Sequence, residues 1–159
     1  MLPKLNDTRQ LNEIPQKVTN AMCLFLEVGR QIFWKKFSDE LPFPGFPNCH
    51  SIARAYAGAF KGFDVVDGGA LYIKSKPQIT THSWLRFTDY PEFGIDVAPL
   101  GAVPFFSFPN LIFFDRHVVF HETRIPDDVR IAAEKDCLIL QGVIKDIAKK
   151  LTTKEEQAA

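Results

Sequence analysis

Ile14, Val18, Ala21, Phe25, Val28 and Ile32 recur at steps of three and four. That spacing lines one stripe and predicts an amphipathic helix from about Pro15 to Phe37. Cys23 lies off the stripe beside apolar neighbours and reads as structural. The same period returns in Val129, Ala133, Cys137, Leu140, Ile144, Ile147 and Leu151, which predicts a second long helix. Pro126 suits its first turn, and Asp127 and Asp128 suit its positive end. Cys137 lies on this stripe and reads as core. The closing TTKEEQAA, residues 152–159, reads as a disordered tail.

The middle of the chain changes rhythm. LPFPGFPN, with three prolines and a glycine, cannot continue a helix and predicts an extended, turning segment. Asn48 is then a good N-cap, with Cys49 in the first helical position. The helix runs to about Phe60, with Gly62 as its stop, and Ala53, Ala55, Ala57, Gly58 and Ala59 keep it slim. FDVVDGGALYIK reads as two strand pieces around a DGG turn or bulge. THSWLRF alternates with period two, Thr88 to Phe93 is a loop, GIDVA is a short strand and RHVVFHET is another. The prolines of GAVPFFSFPNLIFF favour a shaped loop. It either completes the core or offers Phe105, Phe106 and Phe108 as an apolar wall for an acyl chain, an apolar peptide or a partner.

These elements predict an α+β fold: a small antiparallel sheet packed against the Cys49 helix, with further helices at both ends. The 159 residues suit a single domain, 1–159. Nineteen basic residues balance nineteen acidic ones, so no broad electrostatic footprint for nucleic acid is expected. The most apolar stretch is broken by Pro99, Pro104 and Pro109, so no membrane span is expected. Three irregularly spaced cysteines argue against a disulfide framework, and no secretory signal pattern opens the chain. The expected location is cytoplasmic.

Cys49, His82 and Asp96 stand out together. A thiol needs a depressed pKa to act as a nucleophile, and a helix start and a neighbouring imidazolium both provide one. The imidazole in turn needs an orienting carboxylate. Asp96 sits between Ile95 and Val97, and a carboxylate inside an apolar strand requires a partner. A hairpin centred near Asp89 sets His82 directly opposite Asp96 on one face, with the Cys49 helix over that face.

Cys49 with the helix behind it, then THSWLRF, then GIDVAPLG, resembles the core of the transglutaminase-like group of papain-fold cysteine enzymes. The resemblance spans about residues 48–100. It implies a papain-like core with Cys49, His82 and Asp96 as the catalytic triad. It also implies an oxyanion donor upstream of the cysteine. PFPGFPN carries no glutamine, so Asn48, Trp34 and Gln31 are the candidates there, while Trp84 and His50 are candidate substrate-site residues.

The function expected is that of a cysteine peptidase, amidase or acyltransferase. It would act on a peptide, amide or other acyl substrate through a thioester, without a cofactor. A catalytically inactive binding or interaction module on the same fold is the alternative. His117 and His121 share a strand face, but no recognised zinc spacing occurs, and no metal site is expected. Asp64 and Asp67 read as turn residues.

Overall fold

The computed structural model describes residues 15–37, 40, 48–72, 78–97, 103–108, 111–113 and 118–158. Ile14, the segment 41–47, Ala98 and His117 lie outside them. Helix α1 spans Gln16–Phe37, α2 Cys49–Ala59 and α3 Asp127–Ala158. The strands are β1 Phe63–Tyr72, β2 Gln78–Phe87, β3 Phe93–Asp96, β4 Val103–Phe108, β5 Leu111–Phe113 and β6 Val118–Glu122. The fold is α+β, as the periodicities predict. Among the described residues, no helix is long and apolar enough to cross a membrane.

The antiparallel sheet goes further than a small open one. Among the described residues its six strands run in sequence order, and β6 pairs back onto β1 to close a barrel. The Phe-rich stretch, expected as a loop, forms β4 and β5. Pro104 pairs with Ile95 of β3 near the start of β4, and the β5 pairing covers only Phe106–Phe108, so one edge of Pro104 has no ladder with β5.

FDVVDGGALY is likewise one unbroken strand and not two pieces about a turn. All ten residues pair with β2. The glycine is needed for packing. A Cβ on Gly68 would stand 2.1 Å from the His121 carbonyl oxygen and 2.6 Å from Trp84 Cη2. A bare Gly68 therefore lets β6 and the Trp84 ring close on β1 together.

The core joins all three helices to one face of the sheet. Val18, Phe25, Val28 and Ile32 of α1 and Leu140, Ile144 and Ile147 of α3 are buried, as their stripes require. They enclose Ile52, Ala53, Ala55 and Tyr56 of α2, which lie against Leu85, Phe87, Phe93 and Ile95. Ile52 is fully buried; truncating it to Ala costs about 2–5 kcal/mol. α2 ends at Ala59, and Gly62, at φ +93°, turns the chain into β1. α3 does not fray at 152: it continues to Ala158, since TTKEEQA holds no glycine or proline.

Cys23 is exposed, contrary to its structural reading, because it falls outside the α1 stripe. Cys137 is only partly buried on the α3 stripe, its thiol against the Glu134 carbonyl.

Candidate active site

The site begins at the start of α2. Asn48 adopts an extended backbone, and its side-chain oxygen accepts the Ser51 N–H at 2.9 Å. This is an N-cap, and it makes Cys49 the first helical residue, as the sequence predicts. The thiol therefore stands at the positive end of the helix, where first-turn N–H groups have no partner within the helix.

β2 and β3 supply the other two residues. Their pairing puts Leu85 opposite Ile95 and Arg86 opposite Gly94. The hairpin is therefore centred one residue later than expected, at Tyr90. Continued one step, this register sets Asp96 level with Trp84, two residues from His82. The directly opposed pair is thus corrected to a diagonal one. Because side chains alternate with period two, the shift keeps both groups on one face, and a diagonal pair remains within reach. His82 Nε2 lies 3.0 Å from Asp96 Oδ2, and both residues are buried.

α2 does not cover that face. It packs on the alternate residues, Ser83, Leu85 and Phe87, while Trp84 lies on the other side, stacked on His82 with ring centroids 6.3 Å apart. Asp96 directly follows Ile95, the last β3 residue paired with β2, and His82 lies three residues before Leu85, its counterpart on β2. The Cys49 thiol nevertheless hydrogen-bonds the His82 ring.

The electrostatics make this contact an ion pair. Burial alone would raise the Cys49 pKa. Hydrogen bonds from His50 and His82, with the positive charge of His82, outweigh it and bring the thiol down to about 6. Burial alone would lower His82. Hydrogen bonds to Asp96 and Cys49, and their negative charge, push it up to about 9. At neutral pH the pair is thiolate and imidazolium.

A second group of residues adjoins the first. His50 is buried, with Nδ1 2.7 Å from Ser83 Oγ and Nε2 3.2 Å from Thr81 Oγ1. Ser83 Oγ donates its hydrogen to Asp67 Oδ1. Arg54 grips the same carboxylate with two N–H groups, at 3.0 and 2.7 Å. Burial opposes ionisation of Asp67, but Arg54 and Ser83 hold its carboxyl below the usual carboxylate range. Asp67 is therefore no turn residue, as the sequence reading had it. The signal that could have found it is its place in a valine-rich strand, a charge needing a partner there.

The other candidates fall out differently. Asn48 caps the helix through its oxygen. Trp84 is fully buried behind His82 and presents no open face to a ligand. Trp34 is 57% exposed on α1, edge-on to Phe33. Gln31 donates to Glu27 and lines a cleft of about 580 Å³ between α1 and α3, beside Lys35 and Lys154. No described contact brings Trp34 or Gln31 to Cys49. Among the described residues, no three His, Cys, Asp or Glu side chains cluster as a metal site would require.

No family model, curated protein or solved structure matches the chain.

Proposed function

We propose that this protein is a cysteine-dependent hydrolase or acyltransferase acting on an amide or related acyl bond, built on a papain-like, transglutaminase-like core. The observation that carries the reading is the His82–Asp96 contact at 3.0 Å with the Cys49 thiol on the same imidazole.

The Cys49 thiolate attacks the substrate carbonyl carbon and forms the C–S bond. First-turn N–H groups of α2, beginning with that of Cys49, receive the developing oxyanion. The carbonyl π electrons return, the bond to the leaving amine or alkoxide breaks, and His82 gives its proton to the leaving group. Asp96 keeps the His82 ring oriented and stabilises its protonated form. Water or an amine then attacks the thioester, His82 takes the proton of the attacking group, and thiolate departs. Water makes the protein a peptidase or amidase; an amine makes it a transferase. All three cysteines are free thiols, which fits chemistry in a reducing compartment such as the cytoplasm.

The test is an acyl donor with a visible leaving group. With p-nitrophenyl acetate, one nitrophenolate per chain is released in a burst, and mass spectrometry places one acetyl group on Cys49. The thiolate exists above about 6 and the imidazolium below about 9. The burst rate therefore rises through the first value, holds between the two and falls past the second. Cys49→Ala shows neither burst nor adduct. A wild-type chain that alkylates readily at Cys49 but never carries the acetyl group overturns the enzyme reading in favour of a binding module.

A further inference from the structure

His50 follows the nucleophile directly, and residues adjacent on a helix do not share a face. Its ring nevertheless reaches β2, and where it does so is informative. Its two nitrogens engage Thr81 and Ser83, the residues on either side of His82. The hydrogen-bond count fixes the direction of one contact. The only hydrogen of Ser83 Oγ goes to Asp67. Ser83 therefore accepts from His50, and His50 Nδ1 carries the proton. Arg54, one turn on from His50, completes the assembly. It holds Asp67 by two bonds and reaches the His50 carbonyl at 3.3 Å. The first turn of α2 is thus tied to β2 through the His50 side chain and to β1 through the His50 carbonyl, by way of Arg54 and Asp67.

We propose that His50 is a positioning residue, a clamp that fixes the first turn of the nucleophile's helix against the two residues flanking His82 and so sets the Cys49–His82 contact. The proposal rests on the Cys49–His82–Asp96 reading and adds a residue that touches no substrate. The alternative is a histidine that acts on the thiol only through its own hydrogen bond to Cys49, with no part in setting the Cys49–His82 contact. The two differ in what the thiol does when the clamp is loosened. If His50 positions, Cys49 loses its contact with His82 while the fold stays intact. If His50 acts only directly, loosening its hold on β2 at Ser83 leaves the acidity of the thiol unchanged.

The experiment is the pH dependence of iodoacetamide labelling at Cys49, quantified by mass spectrometry, with melting temperature recorded for each variant. In His50→Ala, and more weakly in Ser83→Ala, the labelling midpoint rises. Cys49 in His50→Ala reacts roughly five- to tenfold more slowly at pH 6 than in the wild type. His50→Gln, whose amide can still donate to Ser83, recovers part of the rate. A wild-type midpoint in folded His50→Ala, or in folded Ser83→Ala, where His50 can still reach Cys49, overturns the proposal. Should His50→Ala not fold, Ser83→Ala and the wild-type histidine ¹⁵N spectrum decide: His50 must carry a proton on Nδ1, and an unprotonated Nδ1 overturns the clamp. A wild-type midpoint at the ordinary thiol value overturns both this proposal and the catalytic reading. An acidic thiol sensitive to His50 that accepts no acyl group overturns the catalytic reading alone.

Discussion

Two histidines meet Cys49, and they differ in what stands behind them. His82 bonds directly to the Asp96 carboxylate. His50 reaches a carboxylate only through the Ser83 hydroxyl, and Arg54 already grips that carboxylate. The first arrangement favours a proton on the imidazole and leaves its far side for the thiol. The second satisfies the ring with hydroxyl groups and spends the carboxylate's charge elsewhere. An imidazole's task is therefore set by its second neighbour as much as by the group it serves. The sequence presents both as histidines close to the motif; their partners are what suggest a proton carrier in one and a clamp in the other.

The largest expected effect belongs to His82. In His82→Ala the Cys49 midpoint returns towards the ordinary thiol value near ~8.5, and labelling at pH 6 falls roughly hundredfold. An equal fall in His50→Ala would erase the distinction between the two rings. Asp96→Asn comes next. The amide keeps a hydrogen bond but can hold the ring in the wrong tautomer, so acylation by p-nitrophenyl acetate slows by about 10² or more. Melting temperature should change little, and an unchanged burst rate would remove Asp96 from the site.

Asp67→Ala sharpens the comparison from the other side. It strands a partly buried Arg54 and costs about 1–3 kcal/mol in urea unfolding, scaled down from a fully buried pair. Cys49 labelling should slow less than in His50→Ala, because His50 keeps Thr81 and the Ser83 oxygen. A full collapse of thiol acidity would make Asp67, and not His50, the controlling group. The smallest effect is that of Asn48→Ala. Losing the cap on Ser51 N–H costs about 1 kcal/mol of stability. A stability unchanged within error would mean that solvent replaces the cap.

Much of the helical framework was legible because local chemistry dictates it. The stripes of α1 and α3, the Asn48 cap and Cys49 at the helix start all follow from spacing and from side-chain competition for backbone groups. The sheet was less legible. The DGG run carries the chemistry of a turn, yet Gly68 serves close packing against β6 and Trp84. The Phe-rich stretch has the prolines of a loop, yet it completes the barrel. In both places a long-range pairing overrode a local preference, which no residue spacing records.

The site divides the same way. That Cys49, His82 and Asp96 belong together was determined by the sequence: a helix-start thiol, a strand histidine and a carboxylate in an apolar strand each need a partner that another can supply. The face shared by His82 and Asp96 was also determined there, because alternation survives a two-residue change of partner. Tertiary structure alone decided which side of β2 the helix covers, and hence that His50 rather than the triad meets Ser83. It alone joined Arg54, Asp67, Ser83 and His50, which lie on one helix and two strands. The physical reason is that a buried charge selects its partner by proximity in space, and closure of the sheet with the packing of α2 on it fixed that proximity.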